Sequence, residues 1–403
     1  MKRNVLFVDD DTNVLQGLRR MLRPMREQWD MHFVDSGQKA LEFMSRVQVD
    51  AVVSDMRMPG MDGPELMLRI MRDYPDAVRF ALSGYSSQEM VGRSIAPTHQ
   101  YMTKPCDEKK LVQALELAMN ARAFISNKAV LEKITRIEHL PVLPRAYVRI
   151  TDELSKCDPS PKAVGEIVGE DVGLSANILK LVNSAYFGLS RTVTSPQQAV
   201  IVLGVNVIRS VILSLHVFKS FETTEERAFS LTKLWEHSLR TASIARVIAK
   251  AEGLARDDAD NAYIAALLHD VGKLVLNAHC AEEYLVILRQ VREQNRCVAD
   301  VEAEVLGLTH AQVGAYLLGL WGLPTDVVHA VARHHEQEPE PAGLCAGSMT
   351  YFANLLDHDI FIFNAHYARP QVSAERFAAI GGPERFAHWR EEAVALNISE
   401  EGA

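Results

Sequence analysis

Two groups of residues in this 403-residue chain have the types and spacing to do chemistry. The first lies near the start: Asp9 and Asp10 in "FVDDD", Asp55 in "SDMRMPGMDG", Ser83 in "ALSGY" and Lys104 in "YMTKP". Three carboxylates drawn to one place repel one another unless a cation sits among them. Hard oxygen donors of this kind suit Mg2+, which keeps several waters of its own. A hydroxyl and an ammonium opposite would bind the oxygens of a phosphoryl group, so the set describes a nucleophilic carboxylate with a phosphoryl clamp. The second group is the pair His269–Asp270 inside the apolar run "YIAALLHDVGKLVL". An adjacent imidazole and carboxylate can hold a metal ion, and metal sites of that kind hydrolyse phosphate esters.

The elements that must position the first group are legible. "NVLFVD", "DMHFV", "DAVVSD", "VRFALS" and "HQYMTK" read as strands, and between them "TNVLQGLRRMLRPM", "GQKALEFMSRV" and "GPELMLRIMRDY" carry helical spacing. Five βα units of this length predict a doubly wound parallel sheet over residues 1–120, with its ligand site at the carboxyl ends of the strands. Asp9, Asp10, Asp55, Ser83 and Lys104 all fall at such ends.

From residue 139 the texture turns almost wholly helical. Pro and Gly mark the breaks, as in "SPKAV" and "SPQQAV", where Pro stands just inside a helix start. An all-α bundle follows, over 139–356, with one or two peripheral helices in a C-terminal extension, 357–403. Residues 121–138 read as a connecting helix that continues the last helix of the first domain, with Asp107 as the N-cap of the whole stretch. Leu117, Phe124 and Leu131 recur at heptad steps, and Lys128 interrupts the pattern. A helix packed on its own domains and a helix that pairs two chains both fit.

The totals narrow the classes. The length predicts two or three domains. A net charge of −9 argues against a general nucleic-acid binder, which needs concentrated Lys and Arg, and no helix-turn-helix signature stands out. No apolar run reaches the roughly 18 residues of a membrane span, and the start "MKRNVLFVDDD" reads as a strand rather than a signal peptide. Five scattered cysteines without a CxxC pair fit reduced thiols, so the cytoplasm is the expected compartment.

"FVDDD", "SDMRMPGMDG", "ALSGY" and "YMTKP" stand in the order and approximate spacing of a response-regulator receiver domain, and residues 1–120 resemble that family. The resemblance implies that Asp55 is the phosphoacceptor. Asp9, Asp10, Asp55 and the backbone carbonyl of Arg57 would hold Mg2+, Ser83 and Lys104 would contact the phosphoryl group, and Tyr101 would change rotamer with it. A sensor histidine kinase is the implied partner.

The second half, over about 140–356, resembles the HDOD family, an output domain related to HD phosphohydrolases. The residues that carry this are "LPVLP", "EDVGLSANILKLVNSAYFG", "AVIVLG", "LWEHS", "LLHDVGKLVL", "THAQVGAYLLGLWGLP" and "RHHE". A catalytic HD site would gather His237, His269, Asp270 and a distal Asp. His310, His334 and His335 come close to the larger ligand set of dinuclear HD-GYP phosphodiesterases, which suits ions such as Mn or Fe. Two absences weigh against catalysis. Asn354 stands where a catalytic relative carries Asp, with Asp357 able to substitute only at a shift of three residues. No Gly-Tyr-Pro segment follows "HHEQEPEPAG". The site reads as vestigial, its His and Asp packed and hydrogen-bonded in the interior, with Lys273 within reach of Asp270.

The expectation is therefore a response regulator whose phosphorylation at Asp55 is relayed to a non-catalytic HDOD output. That output would bind another signalling protein, with enzymes of cyclic-dinucleotide metabolism among the implied partners, and neither nucleic acid nor a membrane. The rival is a metal-dependent HD-type phosphohydrolase controlled by the receiver.

Overall fold

In the computed structural model, the five β-rich runs form one parallel sheet of order β2-β1-β3-β4-β5: β1 Arg3–Val8, β2 Trp29–Val34, β3 Ala51–Asp55, β4 Val78–Ser83 and β5 Gln100–Thr103. The structure describes residues 2–83, 98–104, 106–121, 124, 144–154, 156, 159–184, 187, 189, 192–221, 230–336, 344–361, 377–378 and 382–396. Every residue of β3 is buried, as expected of a parallel strand covered on both faces. Val5 pairs with Ala51 and Val8 with Ser54, so β1 and β3 end level with each other at the point where the strand order reverses.

Helices α1 Thr12–Met21, α2 Gly37–Met44, α3 Gly63–Asp73 and α4 Glu108–Ala121 complete this unit. Asp11, Ser36 and Asp62 cap the first three with their side chains, and Asp107 accepts from Lys110 N–H at 3.1 Å at the start of α4. The expected helix through Met25 stops at Met21. Pro24, with no N–H and a ring that clashes with the preceding turn, converts the remainder to a 3₁₀ turn, Arg23–Glu27. Residues 125–143 fall outside the described residues, and with them most of the expected connecting helix.

The chain divides into two compact units, Met1–Leu143 with Leu317–Leu323, and Pro144–Tyr316 with Pro324–Ala403. Every described element of the second unit is a helix. Two of the helical runs are each divided in two. Asp171 caps a fresh helix by accepting from Leu174 N–H, which separates α6 Pro161–Gly169 from α7 Val172–Val182. Gly204, at φ 86°, separates α8 Pro196–Leu203 from α9 Val205–Phe221, a bend of 117°. Helix α5, Arg145–Leu154, opens the unit.

Six further helices surround the histidines. They are α10 Leu231–Ala251, α11 Arg256–Leu268, α12 Val271–His279, α15 His310–Leu320, α16 Thr325–Arg333 and α17 Ala346–Ile360, with α13 Ala281–Gln294 and α14 Val298–Leu306 between. Helix α10 packs on α11 and α17, and α11 also packs on α16 and α17. Helix α17 runs through residues 356 and 357 without a break. The last helix, α18 Pro383–Ala395, docks through Trp389, which is fully buried beside Phe352 and donates to Glu252 at 2.7 Å. Among the described residues no single helix is long and apolar enough to cross a membrane.

Candidate functional sites

The sheet brings the expected carboxylates together. Asp9 follows β1 and Asp55 ends β3, and both are buried. Lys104, just past β5, donates to Asp9 Oδ2 at 2.6 Å and also to Asp55 Oδ1. One ammonium reaching both acids shows that a single cation can serve them, so the donor set fits Mg2+. The Asp55 Oδ2 atom accepts from the Arg57 N–H at 2.6 Å, and Asp9 Oδ1 from the Asp11 N–H at 3.0 Å. Burial raises the pKa of Asp9, and the Lys104 and Asp11 bonds offset this only in part. Burial also works against the Lys104 ammonium, but its bonds to Asp55 and Asp9 prevail and its pKa is raised. Asp10 is exposed at the same strand end, and Tyr101 lies half-buried in β5. Ser83 closes β4 opposite Thr103; its side chain lies outside the described residues.

In the second unit the donors sit at helix ends. His269 and Asp270 form the junction between α11 and α12, His310 begins α15, and His334 ends α16. His237 comes from the interior of α10. All five are buried, and His335 is half-buried. They form two groups that share Asp270: His237 and His269 on one side, and His310, His334 and His335 on the other, with the ligand atoms of each group within 4.8 Å of one another.

Four of the imidazoles are held by their Nδ1 atoms. His237 Nδ1 lies 2.6 Å from Asp357 Oδ2, His269 Nδ1 2.7 Å from the Ala266 carbonyl, His310 Nδ1 2.6 Å from Glu302 Oε2, and His334 Nδ1 2.7 Å from the Val331 carbonyl. Carbonyls and carboxylates only accept, so each Nδ1 carries the proton and each Nε2 turns its lone pair inward. There the Nε2 atoms face one another: His237 to His269 at 3.1 Å, His310 to His334 at 3.3 Å, His310 to His335 at 2.9 Å. Burial drives His269 and His335 well below the ordinary histidine pKa and lowers His334. Burial acts on His310 likewise, but Glu302 and Asp270 outweigh it and its pKa is raised. Acceptor atoms in such mutual contact fit a metal ion.

Asp270 has two unlike oxygens. Its Oδ2 accepts from Lys273 Nζ at 2.6 Å, the contact expected from the sequence. Its buried Oδ1 accepts no hydrogen bond, although His310 Nε2 is 3.2 Å away and His334 Nε2 3.7 Å. Burial opposes the charge on Asp270, yet His269 and Lys273 hold its carboxyl well below the carboxylate range.

Asn354 is buried on α17, and its Oδ1 also has no hydrogen-bond partner. One turn on, Asp357 supports His237 and accepts from Arg240 Nε at 2.7 Å and Nη2 at 3.2 Å. Sequence reasoning missed Arg240 and Glu302. Glu302 is fully buried and takes the His310 N–H, the His310 Nδ1–H and the Tyr284 hydroxyl. The available signal was spacing: of the three acids in "VADVEAEVL", Glu302 alone stands four residues from both Val298 and Leu306, on the apolar face.

Residues 5–116 match the response regulator receiver domain family, and residues 140–337 match the HDOD domain family. The chain thus joins an N-terminal receiver domain to a C-terminal HDOD domain, the build of a signalling regulator. An uncharacterized protein of Treponema pallidum is 28% identical over 207 residues, 51% of this chain and 39% of that protein. The hydrogenase transcriptional regulatory protein HoxA of Cupriavidus necator is 32% identical over 122 residues, 30% of this chain and 25% of that protein. The chain spans well under two thirds of either relative. Among solved structures, an HDOD domain protein of Geobacter sulfurreducens superposes at a TM-score of 0.52 and 23% identity, over 71% of this chain and 98% of that one, a likeness of fold.

Proposed function

We propose that the chain is a response regulator, phosphorylated on Asp55 by a sensor histidine kinase, whose HDOD unit binds a further signalling protein without catalysing a reaction. The observation that carries this reading is the Lys104 ammonium bonded to both Asp9 and Asp55 at the carboxyl ends of β1 and β3. The Arg57 N–H fixes Oδ2 of Asp55, which leaves Oδ1 to form the bond to phosphorus as the donor's bond to phosphorus breaks. Lys104 then has a phosphoryl oxygen to bind in place of the lost carboxylate charge. Mg2+, held by Asp9, Asp10, Asp55 and the Arg57 carbonyl, would neutralise charge on the phosphoryl oxygens.

Asn354 in place of a carboxylate and the missing Gly-Tyr-Pro segment support a non-catalytic output. The receiver and the lack of a membrane-spanning helix among the described residues support a cytoplasmic place. No residue selects the downstream partner, and enzymes of cyclic-dinucleotide metabolism stay within the proposal.

Incubated with acetyl phosphate and Mg2+, the chain is expected to take up one acid-labile phosphoryl group, and Asp55→Ala none. Uptake by the variant would move the acceptor elsewhere. Hydrolysis of a cyclic dinucleotide, lost on His269→Ala, would replace the non-catalytic output with a phosphodiesterase.

A further inference from the structure

We propose that the receiver carries a docking surface apart from its carboxylate pocket: a row of arginines at the end of α1 that takes an acidic helical segment of a partner protein. Helix α1 ends at Met21, and Pro24 turns the next residues into the 3₁₀ turn Arg23–Glu27. Residues three apart are neighbours on an α-helix and eclipse one another on a 3₁₀ turn. Arg20, Arg23 and Arg26 therefore stand in one row, at steps of about 5–6 Å. All three are exposed, and among the described residues none makes an ion pair or a side-chain hydrogen bond. Lys2 adds a further cation, its Nζ donating to the Arg26 carbonyl at 2.8 Å. Arg19 flanks the row, its guanidinium 4.7 Å from the centre of the Phe33 ring. The nearby acids leave the row unneutralised: Glu27 is bonded to none of the arginines, and Asp30 stands 3.6 Å from Lys2.

Exposed charge is ordinarily solvated, and cations suit the last turn of a helix. That accounts for Arg19 and Arg20, but Arg23 and Arg26 lie past the turn. Acids are not scarce either, since the chain has 52 Asp and Glu to 43 Lys and Arg. The receiver's exposed Arg46, Arg69 and Arg72 each hold a carboxylate, at 2.7, 2.6 and 2.7 Å. Three neighbouring guanidiniums without one repel each other at this spacing. They are charge kept free for a partner.

Spacing and charge together name the occupant. Carboxylates three or four residues apart on a helix recur at the same steps of about 5–6 Å, and a guanidinium grips a carboxylate through paired N–H donors. A membrane surface fits poorly, because Pro24 alone among the exposed residues of α1 and the turn is apolar. A nucleic acid would meet the repulsion of a chain of net charge −9. The row also lies away from Asp55. The 3₁₀ turn leads into Trp29, paired with Arg3 at the amino ends of the strands, whereas Asp55 closes β3 at the carboxyl end. The length of β1, from Arg3 to Val8, separates the two levels by about 17 Å, so a bound segment leaves the carboxylate pocket open.

The probe is a labelled alanine-rich helix of about 20 residues with Glu at every fourth position, titrated with the full chain. Its fluorescence anisotropy is expected to saturate at one peptide per chain. Arg20→Gln, Arg23→Gln and Arg26→Gln made together are expected to weaken binding roughly tenfold, and added salt to act in the same direction. The urea midpoint of that variant is expected to be no lower than the parent's, because the changes relieve repulsion, so lost binding is not lost fold. The same peptide with Gln for Glu is expected not to bind. Equal binding by the variant or by the Gln peptide, or no saturable binding, would overturn the proposal. So would a lower midpoint, which would give the row to the fold, and so would tighter binding of phosphatidylglycerol vesicles or duplex DNA than of the peptide.

Discussion

At the scale of single residues, the carboxylate pocket of the receiver and the His-Asp pair were legible because their residue types are rare in such runs. Asp55 announces itself at the end of an apolar strand, and His269–Asp270 inside an apolar helix junction. Glu302, Arg240 and Asp357 were harder, because their roles depend on which helix faces they meet and no spacing encodes that. Gly272 shows how tight the meeting is. A Cβ there would lie 2.0 Å from the His310 carbonyl oxygen and 2.8 Å from the Gly314 nitrogen, both backbone atoms. Gly272→Ala is therefore expected to cost about 3 kcal/mol, read from urea unfolding, and to part Asp270 from His310.

Asp152 on α5 offers a test by pH. Burial, partly countered by Lys156, raises its pKa from 3.8 to about 6 in the folded chain. Below pH 3.8 the carboxyl is protonated in both states. As pH rises towards about 6 the unfolded chain ionises first, so stability falls and stays lower above it. Asp152→Asn removes that loss. With allowance for solvent at a partly exposed group, the variant is expected to be more stable than the parent by about 1–2 kcal/mol at pH 7.5 and equal to it near pH 3.5. Urea midpoints at the two pH values check this.

At the scale of elements, periodicity located the strands and helices, and the errors fell where a local rule overrode it. Pro24 ended α1 early, and Asp171, by its side-chain cap, and Gly204, by its positive φ, each opened a fresh helix. The C-terminal extension was legible as helix but not as core. Its Trp389 is fully buried, and Arg385 and Trp389 both donate to Glu252, whose pKa the Arg385 bond lowers. Trp389→Ala is expected to cost about 3–5 kcal/mol in the thermal or chemical unfolding of the HDOD unit. A change within 0.5 kcal/mol would mean that α18 is peripheral after all.

At the scale of the whole molecule, the order of domains was legible because each carries its own ordered motif set. The relay between them was not, since the heptad-like stretch after Ala121 lies largely outside the described residues. A relay nevertheless has a measurable signature, because a ligand that shifts one unit's equilibrium must change the stability of whatever is coupled to it. Adding Mg2+ and beryllofluoride, a phosphoryl mimic, is expected to alter amide hydrogen exchange in helices of the HDOD unit as well as in the receiver. In Asp55→Ala both changes should vanish. Exchange altered in the receiver alone would confine the switch to that unit.

The way the imidazoles are aimed has a consequence for how the centre decays under mutation. His269 and His334 are oriented by the carbonyls of Ala266 and Val331, three residues back in their own helices, and any residue at those positions brings a carbonyl. His237 and His310 depend on Asp357 and Glu302, side chains that one nucleotide change can remove. The mutational target is therefore uneven. Random substitution would unhook His237 and His310 first and leave the other two rings pointing inward for as long as their helices keep their final turns.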